Sequence, residues 1–278
     1  MIIDTHTHFY DPARPQGVPW PPPASGLLYR TVLPEHHRAL AAPEGVTGTV
    51  VVEASAWVED NQWILDLATD DPWIVGLVGH VDPGTPDFAA QLRRFAAHRL
   101  FKGIRVGASP FADLEGHGFL RDMETLADLG LELDVLLGAE QLSGVGQLAH
   151  RLPELRIVIN HVAHVAIDGG PPDPRWVEAM EGVAEHPQVY CKVSALVELS
   201  RVQPAPTDPG YYQPTLDALW RIFGEERLVY GSNWPVSDRA GQYQTVAAVA
   251  RAYFESKGER AAARFWWRNA ERAYALQL

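Results

Sequence analysis

Cysteine is almost missing from this chain. Cys191 stands alone among 278 residues, which excludes an internal disulfide and any zinc site built from several thiolates. Basic charge is also scarce, with 23 Lys and Arg against 35 Asp and Glu and a net charge of −12, so neither nucleic acid nor an anionic membrane is expected as a partner. No apolar run approaches the roughly 20 residues that a membrane span needs. The opening MIIDTHTHF lacks the basic stretch and apolar run of a secretory signal, and a cytoplasmic protein is expected. No G-x-G-x-x-G or G-x-x-x-x-G-K-[ST] follows any apolar run, which leaves dinucleotide and P-loop phosphate sites without support. What the chain does have is 46% hydrophobic and 21% charged residues, enough to bury a full core.

Eight apolar runs of strand length recur, at 2–8, 48–54, 73–81, 101–107, 131–137, 156–162, 189–196 and 227–234. They are rich in Val, Ile and Leu and nearly continuous, as strands covered on both faces are. Between them apolar residues repeat at three or four: at 61–69, at 86–99 behind a candidate cap at Thr85, at 119–129 closed by Gly130, and in runs centred on Val145, Val177, Leu219 and Val249. Strands alternating with helices in this number predict an α/β fold, a (β/α)₈ TIM-like barrel forming a single domain over 1–278, with an open doubly wound sheet as the alternative. Residues 9–33 and 198–214, rich in Pro and aromatics, would then sit on the rim at the C-terminal ends of the strands, where barrel enzymes carry their sites.

That rim collects polar residues. His6 and His8 are two apart on the first strand, so both rings face one side, and two converging imidazoles suit a divalent metal. His80, His161 and His164 fall at the ends of the third and sixth strands. Glu53, Lys102, Arg105, Asp134, Lys192, Ser194 and Asn233 interrupt or end other apolar strands, where a charge is costly unless it is paired or used. Glu53 and Arg105 are the stronger candidates. Lys192, between Cys191 and Val193, could instead point outward, and Cys191 reads as core. Trp20, Trp57 and Trp234 fall in rim loops, where an indole can stack on a sugar ring or close a pocket, whereas Trp266 and Trp267 read as core.

The segments IDTHTHFYDP, VVVEAS, GIRV, INHV, YCKVSAL, YGSNWPVS and NAERAYAL, spread over nearly the whole chain, resemble the metal-dependent hydrolases of the amidohydrolase superfamily, in the branch of sugar lactonases and 2-pyrone-4,6-dicarboxylate lactonase. The resemblance implies a TIM-like barrel that hydrolyses a ring ester, with a site drawn from His6, His8, Glu53, Arg105, His161 and position 233. His6 and His8, with Glu53 and His161, would hold a divalent cation, zinc or manganese, although the pyrone-lactonase type resembles a metal-independent hydrolase. Arg105, His164, Trp20, Trp57 and Trp234 would bind substrate, and Asn233, His161 and Glu53 would serve the chemistry. Two departures stand out. The family's strand-8 pattern is usually G-S-D-W-P, and here Asn233 replaces its aspartate. His164 stands where the lactonase pattern often has a lysine, and the following proline is absent. An amide cannot accept a proton, so Glu53, His161 or a metal-bound water would have to take over, or only binding remains. The expected activity is therefore opening of a small sugar-acid lactone. The rivals are a metal-dependent decarboxylase of an aromatic or dienoic acid and a non-catalytic sugar-acid binder. A small molecule is the expected partner, and self-association into a homo-oligomer is left open.

Overall fold

Eight short segments pair side by side and in parallel, each with the next in sequence: β1 (Ile2–Thr7), β2 (Val46–Val52), β3 (Ile74–Gly79), β4 (Phe101–Gly107), β5 (Glu132–Leu136), β6 (Ile157–Ile159), β7 (Val189–Val193) and β8 (Leu228–Tyr230). The computed structural model describes residues 1–69 and 71–278. The sheet closes on itself through hydrogen bonds from β1 to the chain after β8, where His8 N donates to Trp234 O (3.0 Å) and Asn233 N to His6 O (2.9 Å). This is the (β/α)₈ barrel that the alternation predicts, and the open sheet is ruled out. Among the described residues no helix is long and apolar enough to cross a membrane.

Helices α1 (Pro34–Ala41), α2 (Asp60–Thr69), α3 (Phe88–Ala96), α4 (Phe119–Asp128), α5 (Leu142–Arg151), α6 (Pro174–Ala184), α7 (Gln213–Phe223) and α8 (Tyr243–Ser256) wrap the strands. Outward-facing residues such as Val51, Ile104, Ile159 and Cys191 pack with helical ones such as Leu92, Met123, Val145 and Met180 in one large apolar cluster. Gly130 ends α4 with φ 67°, its N–H on Ala127 O, in the left-handed conformation that glycine adopts cheaply. Thr85 does not cap α3: its hydroxyl donates to Asp82 O, and the helix begins after Asp87. Helix α1 lies in a Pro-bounded stretch whose histidines mask the apolar period. Two further short helices, α9 (Glu259–Ala263) and α10 (Asn269–Ala273), flank a π-helical turn at Arg264–Arg268, in which Trp266 is buried and Trp267 half-buried.

The interior of the ring is layered. Ile3, Val50, Val52, Val78, Val158 and Val229 pack with Tyr274 and Leu276 of the C-terminal segment, which plugs the end of the barrel opposite the strand C-termini. Lys102 belongs to that end: its Nζ donates to Ala275 O at 3.0 Å, far from the rim where a ligand would be met. Pairing of β1 with β2 shifts register between Asp4 and Thr7. Asp4 turns outward, accepting from Ser232 N (2.8 Å) and Tyr243 Oη (3.1 Å) and facing His37 Nε2 (3.2 Å), while His6 turns in. The carboxylate thus ties β1 to β8 and to α1 and α8.

Candidate functional site

At the C-terminal mouth of the barrel lies a cavity of about 380 Å³, the size of a pocket for a small molecule. Its wall takes Arg105 from β4, His161 and His164 from the turn after β6, Ala195 and Glu198 from the loop after β7, Asn233 after β8, and His8 and Trp20 from the first loop. Segments far apart in the chain thus converge at one point, as the histidine pattern predicts. The His6 and His161 ring centroids are 4.4 Å apart, His6 and His8 5.0 Å, and His161 and His164 5.6 Å.

The backbone here is held in costly conformations. His161, Val162, Ala163 and His164 run consecutively at φ 50°, 46°, 51° and 53°, and Ala195 and Asn233 stand at 58° and 60°. A non-glycine residue in this region costs roughly 1–2 kcal/mol, and such strain gathers where function over-determines geometry. The turn carries His161 and His164 over the mouth on a backbone that a continued strand would have taken past it.

Each imidazole is oriented by its Nδ1. His8 Nδ1 lies 2.9 Å from Val52 O and His164 Nδ1 3.0 Å from Leu137 O, so in both rings Nδ1 carries a proton, and in His8 Nε2 offers a lone pair. His161 Nδ1 meets Ser194 Oγ at 2.8 Å. His6 differs: Lys192 Nζ lies 3.2 Å from its Nδ1, and an ammonium only donates, so the ring proton sits on Nε2, a buried atom with no partner. Burial first, and then nearby cations and rings, hold His6 and His161 well below the usual imidazole range. Burial and Arg105 bring His8 down to about 3, with the Val52 carbonyl and the Asn233 side chain opposing. All three are neutral at pH 7 and weakly basic.

Under these rings Lys192 is fully buried and paired with Asp134 at 2.7 Å, and Tyr274 Oη donates to the other Asp134 oxygen at 3.1 Å. Lys192 therefore points inward, against the outward reading that its neighbours allowed. Burial first, and then the neighbouring Asp134, push the Glu132 carboxyl well above its ordinary range.

Several expected site residues lie elsewhere. Glu53 is not in the cavity wall, and Arg105 grips one of its carboxylate oxygens: Nε donates to Oε1 at 2.8 Å, Nη2 approaches the same oxygen at 2.7 Å, and Nη2 also donates to Glu53 O at 2.8 Å. Trp234 is buried away from the cavity, its ring 5.4 Å from that of His37. Trp57 is 39% exposed and outside the wall. His80 faces Asp82 at 3.0 Å. The expected four-residue metal set does not assemble: among the described residues no three His, Cys, Asp or Glu groups are placed to hold an ion. The donor chemistry still suits a divalent cation in part. His8 presents a free Nε2 lone pair with its Nδ1–H tied to a carbonyl, the usual arrangement of a ligating histidine, and His161 stands beside the same cavity. His6 could join only by giving up its Nε2 proton.

Glu198 opens the 198–214 stretch expected on the rim but is not among the site residues that the sequence singles out. Asn233 Nδ2 donates to its Oε1 at 2.7 Å, while Oε2 is buried and has no partner. Burial lifts its carboxyl to about 7, opposed by the Asn233 bond. A lone acid in the apolar run Ala195-Leu196-Val197-Glu198-Leu199 just past β7 was the available signal.

Comparison with known proteins accords with this geometry. The amidohydrolase family profile matches residues 3–276. The chain is 34% identical to an L-fucono-1,5-lactonase of Burkholderia ambifaria, over 87% of this chain and 82% of that protein. It is 30% identical to an L-fucono-1,5-lactonase of Burkholderia multivorans, over 99% and 96%. A crystal structure of an amidohydrolase from Burkholderia multivorans with bound zinc superposes with a TM-score of 0.86 at 28% identity, covering all of both chains.

Proposed function

The chain belongs to the amidohydrolase family, and from that premise we propose that it hydrolyses a small sugar-acid lactone, with water attacking the ring ester carbonyl. The observation that carries this reading is the cavity itself, about 380 Å³ at the barrel mouth, where Arg105, two weakly basic imidazoles and the Asn233–Glu198 pair face one volume. Relatives that open L-fucono-1,5-lactone support the substrate class. They favour hydrolysis over decarboxylation and over binding without turnover.

In this reading the lactone ring lies against Trp20, whose apolar face covers a sugar as aromatic rings do. The salt bridge to Glu53 occupies Nε and Nη2 of Arg105 and fixes the guanidinium plane, leaving Nη1 to donate to the carbonyl oxygen. As the tetrahedral intermediate forms, negative charge grows on that oxygen. A fixed cationic donor in a water-poor cleft stabilises it more than the neutral carbonyl, and losing one such donor costs about 10²–10³-fold in kcat. The neutral Nε2 of His8 can accept a hydrogen bond from water or a ring hydroxyl, which orients it without a proton leaving, and His164 stands beside it in the cavity wall. A divalent cation, when bound by His8 and His161, would polarise the carbonyl further.

Incubating the purified protein with aldono- and uronolactones, L-fucono-1,5-lactone included, with and without added zinc or manganese, should release acid well above the spontaneous rate. Background rates across the whole panel would reject the reading. Metal analysis of protein purified without chelator should find zinc or another divalent ion, and His8→Ala should lose it.

A further inference from the structure

The site as described has no evident group to take the proton of the attacking water. Glu53 stands outside the cavity wall in a salt bridge with Arg105, His8 and His161 are the rings that would hold a cation, and Asn233 is an amide. Glu198 has what the others lack. It lines the same cavity as His8, His161 and Arg105, and one carboxylate oxygen is anchored while the other is buried and unpartnered. A buried acceptor without a donor costs stability, roughly 1–3 kcal/mol, unless a ligand or water completes it. The side chain lines the cavity, and a donor bound there would satisfy that oxygen.

We propose that Glu198 is the proton acceptor for the attacking water, and that Asn233 is the amide that aims its carboxylate. This rests on the lactonase reading and deepens it. Glu198 Oε2 takes one proton from water as the oxygen forms its bond to the ring carbonyl carbon. The tetrahedral intermediate then collapses, the bond from that carbon to the ring oxygen breaks, and Glu198 returns the proton to the departing alkoxide. The products are a carboxylic acid and a hydroxyl on one open chain, and the carboxylate is restored with no other reactant consumed.

The surroundings suit the task. Burial raises the carboxyl to about 7, so near neutral pH it is partly ionised and basic enough to accept. Arg239 favours the ionised form and Asp238 disfavours it, both from the turn after β8, and the Tyr212 hydroxyl is pushed up to about 12 by burial first and then by Tyr211 and Glu198. Across the cavity stand Arg105 and the neutral His8 and His161. An aspartate at 233 would set a second negative charge 2.7 Å from Oε1, where the amide instead donates. At φ 60° the position also suits Asn, which visits the left-handed region more readily than most residues.

The test is kcat and KM against pH for wild type, Glu198→Gln and Glu198→Asp, using a lactone from the panel that the wild type opens. The expected result for Glu198→Gln is a loss in kcat of about 10²–10⁴-fold, with KM within a few-fold and the acidic limb near neutrality gone. Glu198→Asp should retain that limb at a lower kcat. A folded Glu198→Gln enzyme with near-wild-type kcat and an unmoved limb overturns the proposal and leaves the lactonase reading standing. A wild type that opens none of the lactones overturns both. Should Glu198→Gln fail to fold, Glu198→Asp decides: the limb kept with kcat at least tenfold lower supports the role, and unchanged kcat removes it.

Discussion

The hydrogen bond between Glu198 and Asn233 lets stability and chemistry be separated at the level of single residues. The Glu198 carboxyl rises from 4.5 to about 7 on folding. The native state therefore favours the protonated form, and wild type loses stability as pH climbs from about 4.5 to about 7. Glu198→Gln carries no such charge, so its melting temperature should exceed that of wild type at pH 8 and match it at pH 4. Equal curves at both values would show that the carboxyl is not buried as described. Asn233→Asp should move the acidic limb of the rate profile upward, because two carboxylates at such close range share a proton; an unmoved limb would separate the two side chains. Below the site, Lys192→Met leaves Asp134 without its cation inside the barrel, and loss of one partner of a buried pair costs about 3–5 kcal/mol. Thermal unfolding followed by circular dichroism reads this directly.

Much of this was legible in the sequence at the residue scale. His8, Arg105, His161, His164, Trp20 and Asn233 all line the mouth, with His6 packed against His8 and His161, because they lie on strands, at strand ends or in the loops that follow them. Two failures have one cause: sequence shows where a residue sits along a strand, not what it meets across the ring. Glu53 is gripped by Arg105 from 52 positions away and Trp234 turns back onto His37, whereas Lys192, whose direction the sequence left open, turns inward to Asp134. Glu198 went unread because it follows a strand end by several residues, in a loop whose path no periodicity fixes.

At the scale of elements, strands were easier to place than their ends. The runs at 156–162 and 227–234 contract to Ile157–Ile159 and Leu228–Tyr230, because the chain soon leaves the extended region for the left-handed turn at His161–His164 and for Asn233. Packing can also reverse a propensity rule, and Gly144 in α5 tests it. In an exposed helix alanine is better than glycine by roughly 1 kcal/mol. Here a Cβ would collide with Phe111 O, a backbone atom of the turn at Ser109–Ala112 that cannot swing aside. Gly144→Ala should therefore destabilise, by about 1–3 kcal/mol as overpacking does, which a urea midpoint would record. A stabilised variant would mean that α5 and the turn slide freely.

The whole molecule is a ring with two different ends. Its open mouth holds the cavity, and its floor is sealed by the C-terminal segment, where Tyr274 is fully buried against the strand interior and reaches Asp134. Tyr274→Ala removes both the plug and a donor to the buried Asp134–Lys192 pair. The expected cost is about 3–5 kcal/mol, the range for large aromatic truncations in cores, read as a lowered melting temperature. The loss should fall on stability first, with KM for a lactone nearly unchanged at temperatures where the variant is folded.

The seam between β1 and β8 carries a consequence for biosynthesis. Its hydrogen bonds run from Asn233 N to His6 O and from His8 N to Trp234 O, so two of the residues that zip the ring shut, His8 and Asn233, also line the cavity. A ribosome-bound polypeptide has already emitted its first histidines when their partners, more than 220 positions later, are still untranslated. Until those last residues emerge the nascent chain is inert toward substrate, and acquiring turnover doubles as proof that synthesis has run past Trp234.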